Sequence, residues 1–390
     1  MKSTITAALL SGFVSCAIAP HAICASPPRF AIAEQIPSSV ISAKPNSAKT
    51  APDRPAPTKS WSRPTLRISL PTTATELKFS GDGETLFTNG ATGQSAELWS
   101  LTTGNRISAF PAKSGFALCD VALSSDRQFG AALMYSREAP TLPKKRQVEL
   151  KVWNLKTGQS RWIRPIQDHA IQTTETPFCR VEFSPNSRVL ATSISSHSNK
   201  FQSGVRIWNV PQGTLQQVAG SAVTYNNRFA FSLDSSVLGF VSLANRNSQL
   251  HLWNLNARKL QAKLQAIQGN YVLPIADIVF SPNQQDVIAF SNDGGLYSRI
   301  HRWQIKTGKL QRSSELPIDR TDGLLALSPD GQTYVYGGDV TGYHIGNFQT
   351  NRTWEFPLNR SPTGWPKVVF SPDGQQMAIV SDNQTINIIH

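Results

Sequence analysis

The sequence predicts an all-β fold, a seven-bladed β-propeller assembled from small four-stranded units, and three observations carry that prediction. A Phe/Leu-Ser phrase begins anew at Phe79, Leu123, Phe183, Phe231, Phe280, Leu327 and Phe370, at intervals of 43 to 60 residues. Two residues before these anchors stand Leu77, Val121, Val181, Phe229, Ile278, Leu325 and Val368, all apolar. A strand with one face on a core repeats its apolar side chains with period two, so this slot must face inward. The composition agrees: 16% charged residues, with 25 Gly and 25 Pro in 390, suits turn-rich β structure better than helices. Four short strands every ~45 residues, repeated around a ring, make a propeller.

Each repeat can be read in order. The anchor opens a hairpin, because "FSGDG", "LSSDR", "FSPNS", "FSLDS", "FSPNQ", "LSPDG" and "FSPDG" are rich in turn formers. A third apolar segment ends at Trp99, Trp153, Trp208, Trp253 or Trp303, with Gly346 and Ile389 in that slot of the last two repeats. Turns such as "TTGN", "KTGQ", "PQGT" and "KTGK" then lead to a fourth strand. The last repeat stops at Ile389-His390, after its third strand, while a spare strand "TLRISL" (Thr65 to Leu70) precedes the first repeat. We expect it to complete the last blade, which would close the ring and remove an exposed sheet edge.

The "FSPDG" turn and the strand Val205-Arg206-Ile207-Trp208 resemble WD40 repeats, and the likeness spans roughly residues 65 to 390. It implies a divergent bacterial WD40/YVTN-like propeller, monomeric and acting as a protein-interaction platform. Two departures stand out. The Gly-His pair before each first strand is missing, and the Asp after Trp is Asn154, Asn209 or Asn254, with Ser100 and Gln304 elsewhere. Blades lacking that polar network are expected to hold together chiefly by apolar packing.

The N-terminus reads as an export signal. Lys2 precedes the apolar run Ile5 to Ala19, and "AICA" ends at Ala25. We therefore expect residues 1–25 to be cleaved and the protein to be periplasmic or secreted; an uncleaved or lipidated N-terminus that tethers it to a membrane is the alternative. Residues 26–64 are dense in Pro, Ser, Ala and Lys without apolar periodicity, the composition of an extended tether. The propeller occupies 65–390.

Candidate chemistry is sparse. His251, His301 and His344 each lie two residues before the Trp slot, but Glu97, Lys151, Arg206 and Asn387 fill the same place elsewhere. Residues on separate blades cannot converge on one ion at ~2 Å, so no metal site is expected. Asp82, Asp126, Asp234, Asp330 and Asp373 belong to hairpin turns. "KTGQSRW", ending at Trp162, resembles a quinoprotein docking phrase but occurs once, so a Trp packed on a fourth strand is preferred. No catalytic residue and no cofactor is expected. A channel-mouth enzyme or cofactor protein of quinoprotein or propeller-hydrolase type is the alternative.

Three residues before the anchors, with parity opposite to the apolar slot, come Glu76, Asp120, Arg180, Arg228, Asp277, Leu324 and Lys367. This ring should line the channel mouth. It should pair Asp120 with Arg180, Arg228 with Asp277 and Lys367 with Glu76, or else receive a small anionic ligand. The propeller carries 31 basic against 23 acidic residues, which favours acidic partners. Export and the absence of a stacking aromatic series argue against nucleic acid. An acidic protein surface fits, with an anionic glycan or lipid headgroup as the alternative.

Insertions locate the docking face. Lys144, Lys145 and Arg146 lie in the loop 136–147, Lys200 in the loop 196–204, and His169 in the entry loop 167–178. Long loops on a rigid scaffold often carry function. Cys119 and Cys179 sit at equivalent positions on adjacent blades. Equivalent side chains point the same way around a ring, so two buried thiols are expected rather than a bridge.

Overall fold

The computed structural model describes Trp61 and most of residues 64–390; segments including 138–144, 167–170, 173–176, 196–203, 221–227 and 357–367 lie outside the description. Seven four-stranded antiparallel sheets form the blades of a propeller. The innermost strands, one per blade, are Ala74–Phe79, Phe116–Leu123, Phe178–Phe183, Phe229–Phe231, Ile275–Phe280, Gly323–Leu327 and Val368–Phe370. From each, the chain zigzags outward through two further strands to an outer edge strand. In blade seven that outer strand is Pro64–Ser69, which pairs antiparallel with Thr385–Ile389 and sets Ile68 opposite Ile386. The Leu70 N–H continues the pairing to the Gln384 carbonyl at 2.7 Å.

Among the described residues the apolar slot is buried as the period-two pattern requires. Leu77, Val121, Val181, Phe229, Ile278 and Val368 all lie in the core. The core itself is divided among the seams between blades. Seven clusters each draw on two neighbouring blades, and one joins Ile68, Ala378 and Ile386 of blade seven to Leu77, Leu86 and Trp99 of blade one. Burying such side chains contributes ~1.5–3 kcal/mol each, so the seams dominate the stability of the ring.

The repeated hairpin turn has one physical basis. In every blade a buried Ser (Ser80, Ser124, Ser184, Ser232, Ser281, Ser328, Ser371) donates its hydroxyl to the Asp or Asn two residues on. The same hydroxyl accepts the N–H five residues on. The intervening residue takes positive φ and is Gly83, Gly331 or Gly374 in three blades, but Arg127, Ser187, Ser235 or Gln284 in the others. The side-chain bonds hold those four in a conformation that costs a non-glycine residue roughly 1 kcal/mol.

The Trp-Asn phrase is explained likewise. The Asn154 carboxamide oxygen accepts the N–H groups of Lys156 and Thr157, and Asn209 and Asn254 accept those of Gln212 and Ala257. A neutral amide thus organises the turn before the fourth strand. In blade six a Cβ at position 346 would fall 2.0 Å from the Tyr334 ring, so Gly346 leaves the space that Tyr334 fills in place of the missing Trp.

Candidate functional site

The channel ring converges, but its bonding differs from the sequence-based expectation. Asp120 is fully buried. Its carboxylate accepts the Val121 N–H at 2.8 Å and, across the seam, the Val181 N–H of blade three at 2.7 Å. With Asp120 committed to backbone, Arg180 turns instead to Glu182 on its own strand at 3.1 Å. The expected Asp120–Arg180 ion pair is therefore replaced by a carboxylate-to-amide link between blades. Arg228 and Asp277 do face each other across a seam, at 3.8 Å. Lys367 lies outside the described residues, so its pairing with Glu76 is not described.

Lys78 and Glu182 also belong to this cluster and were not singled out in the sequence. They stand two residues after Glu76 and Arg180, so the same parity that placed those two on the channel also places these. Charge effects tie the group together. Burial, then the Glu76 charge, raises the Asp120 carboxyl to about 6, against the opposing pull of Lys78, Arg180 and the Val181 N–H. Burial and the Arg180 charge lower the Lys78 ammonium. Burial opposes the Arg180 charge, but Glu182, Asp120, Asp277 and Glu76 outweigh it and hold the guanidinium ionised. Arg180 also lies over the Phe229 ring of blade four, 5.9 Å from its centroid.

The histidines are held as separate structural groups. His301 is fully buried, with Nε2 3.0 Å from the Ser291 hydroxyl and its ring stacked on Trp303. Burial, then the Arg299 charge, pushes it down to about 4, so it is neutral at physiological pH. His251 repeats the arrangement with Ser242 at 3.0 Å, and His344 stacks on Tyr336. Among the described residues no three His, Cys, Asp or Glu side chains are grouped to hold a metal.

Blades two and three are fastened at both their inner and outer strands. Cys119 and Cys179 form a disulfide with Cα atoms 5.7 Å apart, which corrects the expectation of two thiols. The reason is local. The register slips between Leu118 and Asp120, so Cys119 is the extra residue of a β-bulge, whereas Cys179 pairs regularly with Ile194. A bulge re-aims its side chain, so equivalent positions no longer point the same way. Farther out, Trp162 Nε1–H donates to the Val210 carbonyl at 3.0 Å, and Arg161 and Arg164 donate to the carbonyls of Pro211 and Gly213. The Trp of "KTGQSRW" is thus packed on a fourth strand, as preferred, and docks on the next blade.

On the face where the chain enters each first strand, Lys145–Arg146 pairs antiparallel with Ile171–Gln172. This short ribbon joins the blade-two insertion to the loop entering blade three. Lys144, His169 and Lys200 lie outside the described residues. A second ribbon, Ile267–Gln268 with Tyr271–Val272, stands between blades four and five on the same face. Its feet, Ala266 and Leu273, are buried, while Tyr271 is 71% exposed. Nothing in the repeat pattern marks this ribbon; its signal is the short "IQGNYV" hairpin between the fourth and fifth repeats.

Comparison with known proteins assigns no family, since no family model and no curated protein matches the chain. The functional reading rests on the geometry above.

Proposed function

We propose that this protein is an exported, non-catalytic, WD40-like propeller that serves as a protein-interaction platform, with its docking region at the seam of blades two and three. One observation carries the reading. The ribbon Lys145–Arg146/Ile171–Gln172 fixes two long connections to each other above a seam that a disulfide, Asp120 and Trp162 already hold. Backbone held in advance, as in this ribbon, loses less conformational entropy on binding, which raises affinity without new contacts. The basic pair Lys145-Arg146 and the propeller's 31 basic against 23 acidic residues favour an acidic protein surface as partner. A disulfide suits an oxidising compartment, in keeping with the export signal.

The test is site-specific photocrosslinking in intact cells. A crosslinker at exposed Gln147, beside the ribbon, should capture one dominant acidic protein; the same probe at Thr157, in a turn on the opposite face, should not. Reversing both charges (Lys145→Glu with Arg146→Glu) should abolish the adduct. Equal labelling from both positions, or adducts with glycan or lipid alone, would overturn the proposal.

A further inference from the structure

Arg180 and Arg228 stand on neighbouring blades at one level of the channel, and neither has its donors matched. Arg180 gives one Nη2–H to Glu182, while its Nε is buried without an acceptor. The carboxylate facing Arg228 is Asp277, at 3.8 Å, too far for a hydrogen bond, and the Arg228 Nε likewise has no acceptor. The carboxylates that could have served them are engaged elsewhere. Asp120 accepts two backbone N–H groups, and Asp277 Oδ1 accepts the Ile278 N–H at 3.0 Å. The two arginine side chains keep 24% and 35% of their exposure, so solvent reaches this level of the channel.

An unmatched buried donor costs ~1–3 kcal/mol, and native structures retain few of them. The two Nε atoms are themselves closed to solvent, but the partly exposed guanidinium groups that carry them stand incompletely paired at one level of the channel, where an acceptor from outside can engage their Nη donors. The surrounding charge says which kind. Among the described residues, Glu76, Asp120, Glu182 and Asp277 stand with Lys78, Arg180 and Arg228, four acids against three bases. A phosphate dianion would face four carboxylates, and a simple cation would face two guanidinium groups. A molecule carrying both signs satisfies both sets.

We propose that the channel mouth binds a small zwitterion of amino-acid type. Its carboxylate accepts hydrogen bonds from Arg180 and Arg228, and its ammonium is offset by Glu182 and Asp277. Guanidinium groups bind carboxylates through paired, charge-assisted bonds that an ammonium cannot reproduce. This site uses neither the Lys145–Arg146/Ile171–Gln172 ribbon nor its basic pair, so either proposal can fail alone.

The experiment follows the arginine side-chain Nε–Hε signals of the full-length purified protein, labelled with 15N-arginine. It is titrated with pooled, then single, free amino acids, and separately with acetate, methylamine and inorganic phosphate. Arg180→Lys and Arg228→Lys assign the two signals and remove the planar fork while keeping the charge. Saturable shifts of Arg180 and Arg228 with at least one amino acid are expected, with acetate and methylamine about ten-fold weaker. Arg228→Lys should weaken binding by about ten-fold or more, whereas Arg161→Lys on the outer strand of blade two should leave it unchanged. No saturable shift with any amino acid would overturn the proposal. So would acetate or phosphate binding as tightly as the amino acid, or an Arg228→Lys variant that binds normally.

Discussion

Replacing both cysteines of the inter-blade bridge (Cys119→Ser with Cys179→Ser) tests how the seam of blades two and three is held. The bridge spans 60 residues of sequence. Closing a loop of that length removes unfolded-state entropy equivalent to ~4 kcal/mol at 25 °C, which sets a ceiling; disulfides commonly deliver about 2–4 kcal/mol. With an unfolding entropy of roughly 2 cal/mol/K per residue, a ring of this size should lose about 3–6 °C in melting temperature. Calorimetry of the double variant measures that loss. Hydrogen exchange should show faster opening confined to Phe116–Leu123 and Phe178–Phe183, because the other seams keep their cores. A non-reducing peptide map supplies the direct check. Recovery of unlinked Cys119 and Cys179 peptides from the purified protein, or a melting temperature unchanged to within about 1 °C, would refute the argument.

Three further outcomes follow from named contacts. Deleting residues through Leu70 removes the outer strand of blade seven together with buried Ile68 and Leu70, and should cost at least about 5 kcal/mol in urea unfolding, whereas deleting residues 26–60 should cost nothing; equal midpoints would dismiss the role of this strand in closing the ring. Burial and the neighbouring Glu76 charge push the folded-state pKa of Asp120 up to about 6, above the ordinary carboxylate value of 3.8, so the folded state holds this proton more tightly than the unfolded state does. The stability it contributes is complete below pH ~3.8 and is lost as pH rises through ~6, a change on the order of 2–3 kcal/mol. Asp120→Asn should therefore gain on the wild type between pH 4 and 7, and parallel stability–pH curves would reject the assignment. Gly213→Ala would place a Cβ 2.7 Å from the Trp162 ring at a φ of +63°, whereas Gly158→Ala meets nothing within 4 Å at +71°. The first should cost roughly 1–3 kcal/mol more than the second, and equal thermal shifts would show that Trp162 does not press on this turn.

The repeat made most of this architecture legible. A period-two apolar slot and a Ser-x-Asp/Asn turn report local physics that recurs in every blade, so seven weak signals reinforce one another. The contents of the channel were legible only by residue. Parity placed Glu76, Asp120, Arg180, Arg228 and Asp277 on its wall, but pairing them by sign overlooked the competing donors, since backbone N–H groups of Val121 and Val181 claim Asp120. Lys78 and Glu182 were missed because only one slot of the inward parity was followed. The bridge was misjudged because a bulge depends on how two strands meet, and no residue type at Leu118, Cys119 or Asp120 announces it. Gly346 departs from the Trp pattern because the Tyr334 ring occupies the space beside it, a contact between two strands that the slot alone does not announce.

The seven seams share one design, an apolar layer between twisted sheets, and differ in what is added to it. The seam of blades one and two gains the pair Lys113–Glu149 at 2.6 Å and a Lys151 bond to the Pro111 carbonyl. That of blades four and five gains Arg228–Asp277 and a Gln261 bond to the Ile305 carbonyl. Only at blades two and three do a covalent bridge, a fully buried carboxylate spanning the seam, a docked indole and a ribbon joining the loops coincide among the described residues. Apolar layers are non-directional and tolerate small slips between sheets, whereas these additions are directional and forbid them. A ring that needed only to stay folded could distribute such links evenly. Their concentration beneath two long connections puts rigidity where the proposed docking surface would need it.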